Sequence, residues 1–256
     1  MIEIQNLKYR YSKTTPAVLK GANAVFEKGK ISVLLGLNGS GKTTLIKLLA
    51  GLYRPNEGQI RYEGRSTEGM SIKERSRRIA YVAQQFGRTD DFTVSDYMLF
   101  SAANRVKIYE QPNEDETALV KATAERFGAS QLLDKKLGEI SGGERQIVSI
   151  AAAVVQKTDV ILLDEPTSSL DICNQYNVLS VLKELAEIEK KTIILSSHNP
   201  NHALFLNATV FLLHNGSIVD SGKASKIVVP DRLKLMYGNY IVFSKDLRYS
   251  EISFSK

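Results

Sequence analysis

The chain has 256 residues, 43% of them hydrophobic and 24% charged, the balance of a soluble globular protein with a substantial core. Its single cysteine, Cys173, rules out a disulfide within the chain and fits a reducing compartment. No apolar run approaches the roughly 18 residues of a spanning helix, and the start MIEIQNLKYRY lacks the apolar block of a signal peptide. The chain is therefore expected not to cross a membrane alone, although it can lie against one. A net charge of +6 favours anionic partners, whether nucleotide, nucleic acid or lipid headgroup.

In chain order, Met1–Tyr11 and Ile31–Leu35 predict strands. Lys42–Leu52 predicts a helix with Leu45, Leu48, Leu49 and Leu52 on its apolar face, ended by Gly51 and Pro55. Arg54–Arg78 reads as a polar stretch and Ile79–Val82 as a short strand. Phe86–Gln156 reads as mostly helical, with a helix start at Pro112-Asn113-Glu114 and helical periodicity over Ala118–Phe127. Val160–Leu163 is a short apolar run, as expected of a parallel strand covered on both faces. Asn174–Lys190 predicts an amphipathic helix with Tyr176, Leu179, Leu182 and Leu185 on one side. Thr192–Ser196 predicts the next strand, and Val210–Leu213 with Ser217–Val219 flank His214-Asn215-Gly216 as a hairpin. The tail from Pro230 is mixed. Strands alternating with helices imply a mainly parallel α/β sheet, and the central helical stretch reads as an insertion.

Gly36-Leu37-Asn38-Gly39-Ser40-Gly41-Lys42-Thr43 fits the phosphate-loop pattern G-x-x-x-x-G-K-[ST], with a strand before it and an amphipathic helix after it. Glycines let the backbone turn tightly so that successive amides point inward, and the helix start adds partial positive charge. Lys42 would reach the β- and γ-phosphates and the Thr43 hydroxyl would bind Mg²⁺. Val160-Ile161-Leu162-Leu163-Asp164-Glu165 is an apolar strand ending in two acids. Ligands of α/β sheets bind at the carboxyl ends of strands, so this end is expected beside the phosphate loop. Asp164 then suits the Mg²⁺ shell, and Glu165 could polarise an attacking water.

Ile140-Ser141-Gly142-Gly143-Glu144-Arg145-Gln146 resembles the signature LSGGERQ of the ATP-binding cassette (ABC) family, with isoleucine in place of leucine. Ser141 and two glycines opening a helix would make another anion site. The resemblance spans roughly Met1–Gly222. It implies a P-loop NTPase (RecA-like) core with a mainly parallel sheet, an N-terminal antiparallel β subdomain and an inserted α-helical subdomain. One cassette would fill the chain, with a core over about 1–85 and 157–225, helices over about 86–156 and a tail over about 226–256. It further implies that Thr44 joins residues 36–43 in binding ATP, and that Ser141, Gly142, Gly143 and Glu144 meet the γ-phosphate held by the opposite subunit.

Other matches follow in family order. Tyr11 resembles the aromatic that stacks on adenine, with Tyr9 as a rival or either tyrosine in the core. Gln84 resembles the glutamine that touches Mg²⁺ and joins core to helical subdomain, with Gln85 adjacent. Ser169-Leu170-Asp171 resembles the loop that crosses between subunits, and His198 the histidine that contacts the γ-phosphate. His202 and His214 read as structural or exposed. The signature helix Ile147–Ala153 lacks the arginines many relatives carry there, and Asn199 stands where aspartate is common; both bear on interface details. The implied machine is an ATPase using ATP and Mg²⁺, working as a pair of chains, expected to be identical, at the cytoplasmic face of a membrane. Permease subunits would press a helix into a groove near Gln84–Leu99.

Ser197–Ala203, Asn215–Gly222 and Leu233–Gly238 look like the importer branch for iron–siderophore, haem, cobalamin and related metal chelates, which implies an extracytoplasmic solute-binding protein as a further partner. Export and a non-transport nucleotide sensor are the alternatives. Nucleic acid is not an expected partner: DNA-repair members insert a long coiled coil, and Gln84 and Ser141 lie only 57 positions apart.

Overall fold

The computed structural model describes residues 1–84, 90–101, 114–238, 241–243 and 252–254. Two sheets organise them. In the first, β1 (Ile2–Tyr9) lies antiparallel between β2 (Leu19–Phe26) and β4 (Glu57–Tyr62), and β5 (Arg65–Ser66) extends the edge. In the second, β3 (Ile31–Leu35), β6 (Ile79–Val82), β7 (Val160–Leu163), β8 (Thr192–Ser197) and β9 (Thr209–His214) run parallel in the order β9-β3-β8-β7-β6. The hairpin partner β10 (Ser217–Lys223) closes one edge antiparallel to β9.

Strands β3, β7 and β8 are buried along their whole length, as parallel strands covered on both faces must be. Their side chains alternate between two cores. Leu34, Val160, Leu162, Ile194 and Phe211 join Leu45, Ile46, Leu48 and Leu49 of helix α1 (Lys42–Ala50) and the inner face of the antiparallel sheet. Val33, Leu35, Ile161, Leu163, Ile193 and Leu195 join the helices on the other side. The latter include α3 (Val94–Ser101), α4 (Glu114–Arg126) and α5 (Gly142–Val155), the α-helices between β6 and β7 among the described residues. They also include α6 (Ile172–Glu187) and α9 (Pro230–Tyr237), whose Leu233, Met236 and Tyr237 are buried. The last described residues pair Ile241–Phe243 (β11) with Ile252–Phe254 (β12).

Several expectations shift. Helix α1 stops at Ala50, because Gly51 turns left-handed (φ 73°) and the Gly51 and Leu52 amides bond back to Leu48 and Lys47. Leu52 is thus outside the helix and 57% exposed rather than on its apolar face. The polar stretch Arg54–Arg78 holds β4, β5 and α2 (Ile72–Ser76). Its hydrophobic signal is thin because β4 buries only Ile60 and Tyr62 and α2 buries nothing. Strand β2 escaped notice because its inward positions include the small Ala22 and Ala24. The first strand ends at Tyr9, so Tyr11 lies beyond it, and α6 starts two residues early, capped by Asp171. Tyr176 is 39% exposed, edge-on to Phe205, while Leu179, Leu182 and Leu185 are buried. Pro112, Asn113 and Gln85 lie outside the described residues. Among the described residues no helix is long and apolar enough to cross a membrane.

Candidate functional site

The loop Gly36–Gly41 leaves β3 and enters α1 at the carboxyl edge of the parallel sheet. Gly36 is obligatory: a Cβ there would sit 2.5 Å from both the Leu213 carbonyl oxygen and Ser40 Oγ. Gly41, at φ 106°, is the N-cap of α1 and offers no side-chain cap. The first amides of α1 therefore face the loop with no side-chain acceptor from that cap. Ser40 Oγ is buried without a hydrogen-bond partner among the described residues, and the β9–β10 turn supports the loop through the Gly216 amide, 3.2 Å from the Ser40 carbonyl. Leu37, Asn38 and Gly39 form the exposed rim. Lys42 is buried, and its ammonium donates to the Gly36 (2.7 Å) and Leu37 (3.1 Å) carbonyls and pairs with Glu165 at 3.3 Å. Thr43 donates to Asp164 Oδ1 at 3.0 Å, and Thr44 Oγ1 lies 2.9 Å from the Tyr11 hydroxyl.

The two acids at the end of β7 point different ways. Asp164 is 1% exposed and accepts from Thr43 and from Ser196 Oγ at 2.8 Å. Glu165 adopts φ 50°, the left-handed region that non-glycine residues seldom enter. The Glu165 amide donates to the same Ser196 hydroxyl (2.8 Å), while its carboxylate meets Lys42 on one oxygen and His198 Nδ1 on the other, at 2.7 Å. The His198 hydrogen bond foremost, with the Lys42 charge, holds the Glu165 carboxyl below its ordinary range against the opposing effect of burial. The same bond raises the His198 imidazole, whose side chain stays 58% exposed. The arrangement is a carboxylate held between the Lys42 ammonium and the His198 imidazole beside an anion cradle.

His202 is buried in the first turns of helix α7 (Pro200–Phe205), 3.2 Å from Ser197 Oγ and 3.3 Å from Gln175 Oε1. Burial pushes its pKa down to about 4, so it is a neutral structural histidine. Sequence reasoning passed over Ser196, whose hydroxyl links both acids; the only signal was a pair of serines closing an apolar strand. It also missed Tyr237, whose hydroxyl donates to the His198 carbonyl at 2.9 Å from across 39 residues.

The remaining candidates surround this centre. Tyr9 is buried and stacks on Tyr53 with ring centroids 5.4 Å apart, whereas Tyr11 is 54% exposed and meets both rings edge-on. Gln84 is exposed two residues beyond Val82, which pairs with Leu163. Ser141 caps α5: its hydroxyl accepts from the Glu144 amide, and the Glu144 carboxylate accepts from the Ser141 amide and hydroxyl, each at 2.8 Å. Gly142 and Gly143 form the next two positions, with Gly143 close against the Ser169 carbonyl. Asp171 caps α6 by accepting from the Asn174 amide at 2.9 Å. The tips of α5 and α6 are thus neighbours.

A glycine cradle between a parallel strand and an uncapped helix, with a buried lysine and an acid from β7, one strand beyond the neighbouring β8, is the construction of P-loop nucleoside triphosphatases. A profile of the ABC transporter family matches residues 19–168, which contain the cradle, the signature and the acid pair. An ABC transporter ATP-binding protein of uncharacterised role from Haemophilus influenzae is 33% identical over 237 residues, 93% of this chain and 89% of the relative. The iron(3+)-hydroxamate import ATP-binding protein of Bacillus subtilis is 29% identical over 220 residues, 86% of this chain and 82% of the relative. A solved structure assigned to the metal-chelate type of ABC transporter, facing inward, superposes with a TM-score of 0.81 at 26% identity, covering 99% of this chain and 96% of that one. The chain belongs to the ABC transporter family and is one of its ATP-binding subunits, an ATPase.

Proposed function

We propose that this subunit powers import of a metal chelate, such as an iron–siderophore, haem or cobalamin, through separate permease subunits fed by an extracytoplasmic solute-binding protein. Two similarities support import: the hydroxamate-import relative and the metal-chelate type structure, each aligned over most of the chain. The working unit in this reading is a pair of chains, expected to be identical, at the cytoplasmic face of the membrane. Residues of about 86–156 act as the inserted helical subdomain carrying the signature, and the groove near Gln84–Leu99 receives the permease.

For the chemistry, the observation that carries the proposal is the Lys42–Glu165–His198 cluster joined through Ser196 to Asp164 and Thr43. The amides of residues 36–43 and Lys42 bind the β- and γ-phosphates, and Thr44 completes the first turn. Tyr11, with its ring exposed and Tyr9 held in the core, stacks on adenine. The Thr43 hydroxyl and the Asp164 carboxylate, already 3.0 Å apart, would hold Mg²⁺ together with the Gln84 amide oxygen, hard oxygen donors of the kind the ion prefers. Bound there, Mg²⁺ would offset charge on the phosphate oxygens. Glu165 orients and polarises the attacking water, His198 contacts the γ-phosphate, and the opposite copy supplies Ser141, Gly142, Gly143 and Glu144. Asp171 approaches across the same two-fold interface, which makes both sites at once.

Glu165→Gln should leave ATP binding intact, slow turnover by about 10²–10⁴-fold and trap the closed pair. Wild-type turnover would remove Glu165 from the mechanism. For the cargo, cells carrying Lys42→Ala should lose uptake of ferric hydroxamate or another chelate of this class; undiminished uptake of all of them would remove the import reading.

A further inference from the structure

Helix α9 lies beyond the residues that match the family profile, yet it reaches the catalytic cluster. Leu233, Met236 and Tyr237 bury in the main core, and Gly238 (φ 64°) ends the helix just after the tyrosine. The Tyr237 hydroxyl is the part that leaves the apolar core, donating to the His198 backbone carbonyl at 2.9 Å. His198 sits in the short link between β8 and α7. That link is held on its other flanks: Ser197 Oγ accepts from the Asn199 amide at 3.0 Å, and Asn199 Oδ1 accepts from the Asn201 amide at 3.0 Å. Beneath it, His202 bonds Ser197 Oγ. Burial, and then the charge of Glu165, raises the Tyr237 phenol, so its proton stays in place as a donor.

We propose that Tyr237 is a positioning residue for ATP hydrolysis: its hydroxyl fixes the backbone from which His198 reaches Glu165. The geometry leaves little slack. The His198 imidazole is mostly exposed and meets Glu165 through one ring nitrogen, so its direction depends on the backbone that carries it. A partly buried hydroxyl–carbonyl bond is worth enough to hold one arrangement of such a link, and losing it leaves a carbonyl to find another partner. This proposal rests on the assignment of His198 to hydrolysis made above.

The test uses the full chain, at concentrations where turnover per site no longer rises, with four variants: Tyr237→Phe, His198→Ala, the double variant and Leu233→Ala. Tyr237→Phe keeps the ring in the core and removes only the hydroxyl. It should lower kcat for ATP by about 3- to 10-fold with KM changed less than about two-fold. In the His198→Ala background the same substitution should cost nothing further, because the group it positions is gone. Leu233→Ala loosens α9 by packing alone; it should lower the melting temperature more than Tyr237→Phe does and leave kcat near wild type at a temperature where it is folded. Wild-type kcat in Tyr237→Phe, with His198→Ala impaired, overturns the proposal and leaves His198 in the mechanism. So do losses that multiply in the double variant, or equal losses of kcat from Tyr237→Phe and Leu233→Ala. Wild-type turnover in His198→Ala overturns the assignment of His198 and this proposal with it.

Discussion

Two helix starts in this chain carry glycines and small hydroxyl residues, and they are built on opposite plans. The tip of α1 has no side-chain cap; its cradle is walled by the chain's own Leu213 carbonyl and Ser40, and by Leu19 and Val18 near Gly41. The tip of α5 is closed on itself by the Ser141–Glu144 box, and a Cβ on Gly142 would meet nothing within 4 Å. The first tip leaves its amides without a side-chain acceptor, inside tight walls. The second occupies the Ser141 and Glu144 amides with its own side chains and turns an open face at Gly142 outward. Two glycine-bearing helix starts thus differ in how much of the cap the chain supplies itself.

That contrast can be broken most sharply at Gly36. Gly36→Ala drives a methyl into a fixed carbonyl, and overpacking of a few kcal/mol should lower ATP affinity by about 100-fold in calorimetric titration. Wild-type affinity would mean that the cradle is not tightly fitted. Gly142→Ala should act the other way: the isolated chain keeps its melting temperature or gains slightly, since alanine is the better helix former. Turnover should still fall about 10-fold, because the methyl intrudes only on whatever closes over that face. Unchanged turnover would reduce the α5 tip to an ordinary helix start. Ser141→Ala removes a cap worth about 1 kcal/mol and should lower the melting temperature by about 2–4 °C, an effect with no counterpart at α1.

The smallest difference is one of pH. Bonds from the Ser141 amide, and then its hydroxyl, hold the Glu144 carboxyl below its ordinary range. A group depressed on folding stabilises above its unfolded pKa and loses that contribution as pH falls through the folded value. The Ser141 amide resonance should follow this titration in acid, through a capping carboxylate that the glycine cap of α1 lacks. An unresponsive Ser141 resonance would mean that the box is open in solution.

Much of this was legible in the residues, for reasons that differ by region. Strands β3 and β7 were readable because continuous apolar runs are what double-sided burial demands, and the cradle because few other backbones need glycines at those positions. Strands β2 and β4 were not, since alanines and single buried residues leave little periodicity. The acids and their different directions were legible, but not what enforces them, the left-handed turn at Glu165 and the shared hydroxyl of Ser196. The contact between Tyr237 and His198 joins residues with no local pattern in common and becomes visible only when α9 docks.

The polar clasp at the end of β7 has one more effect. Every residue of Val160-Ile161-Leu162-Leu163 is apolar and buried, so sliding the strand by one position would exchange the two faces with hardly any hydrophobic penalty. Oil alone cannot tell that strand where to stop. The bonds of Asp164 to Thr43 and Ser196, and of the Glu165 amide to Ser196, can. This polar end thus serves as the alignment mark for the middle of the sheet, and variants that erase it risk misregistered chains.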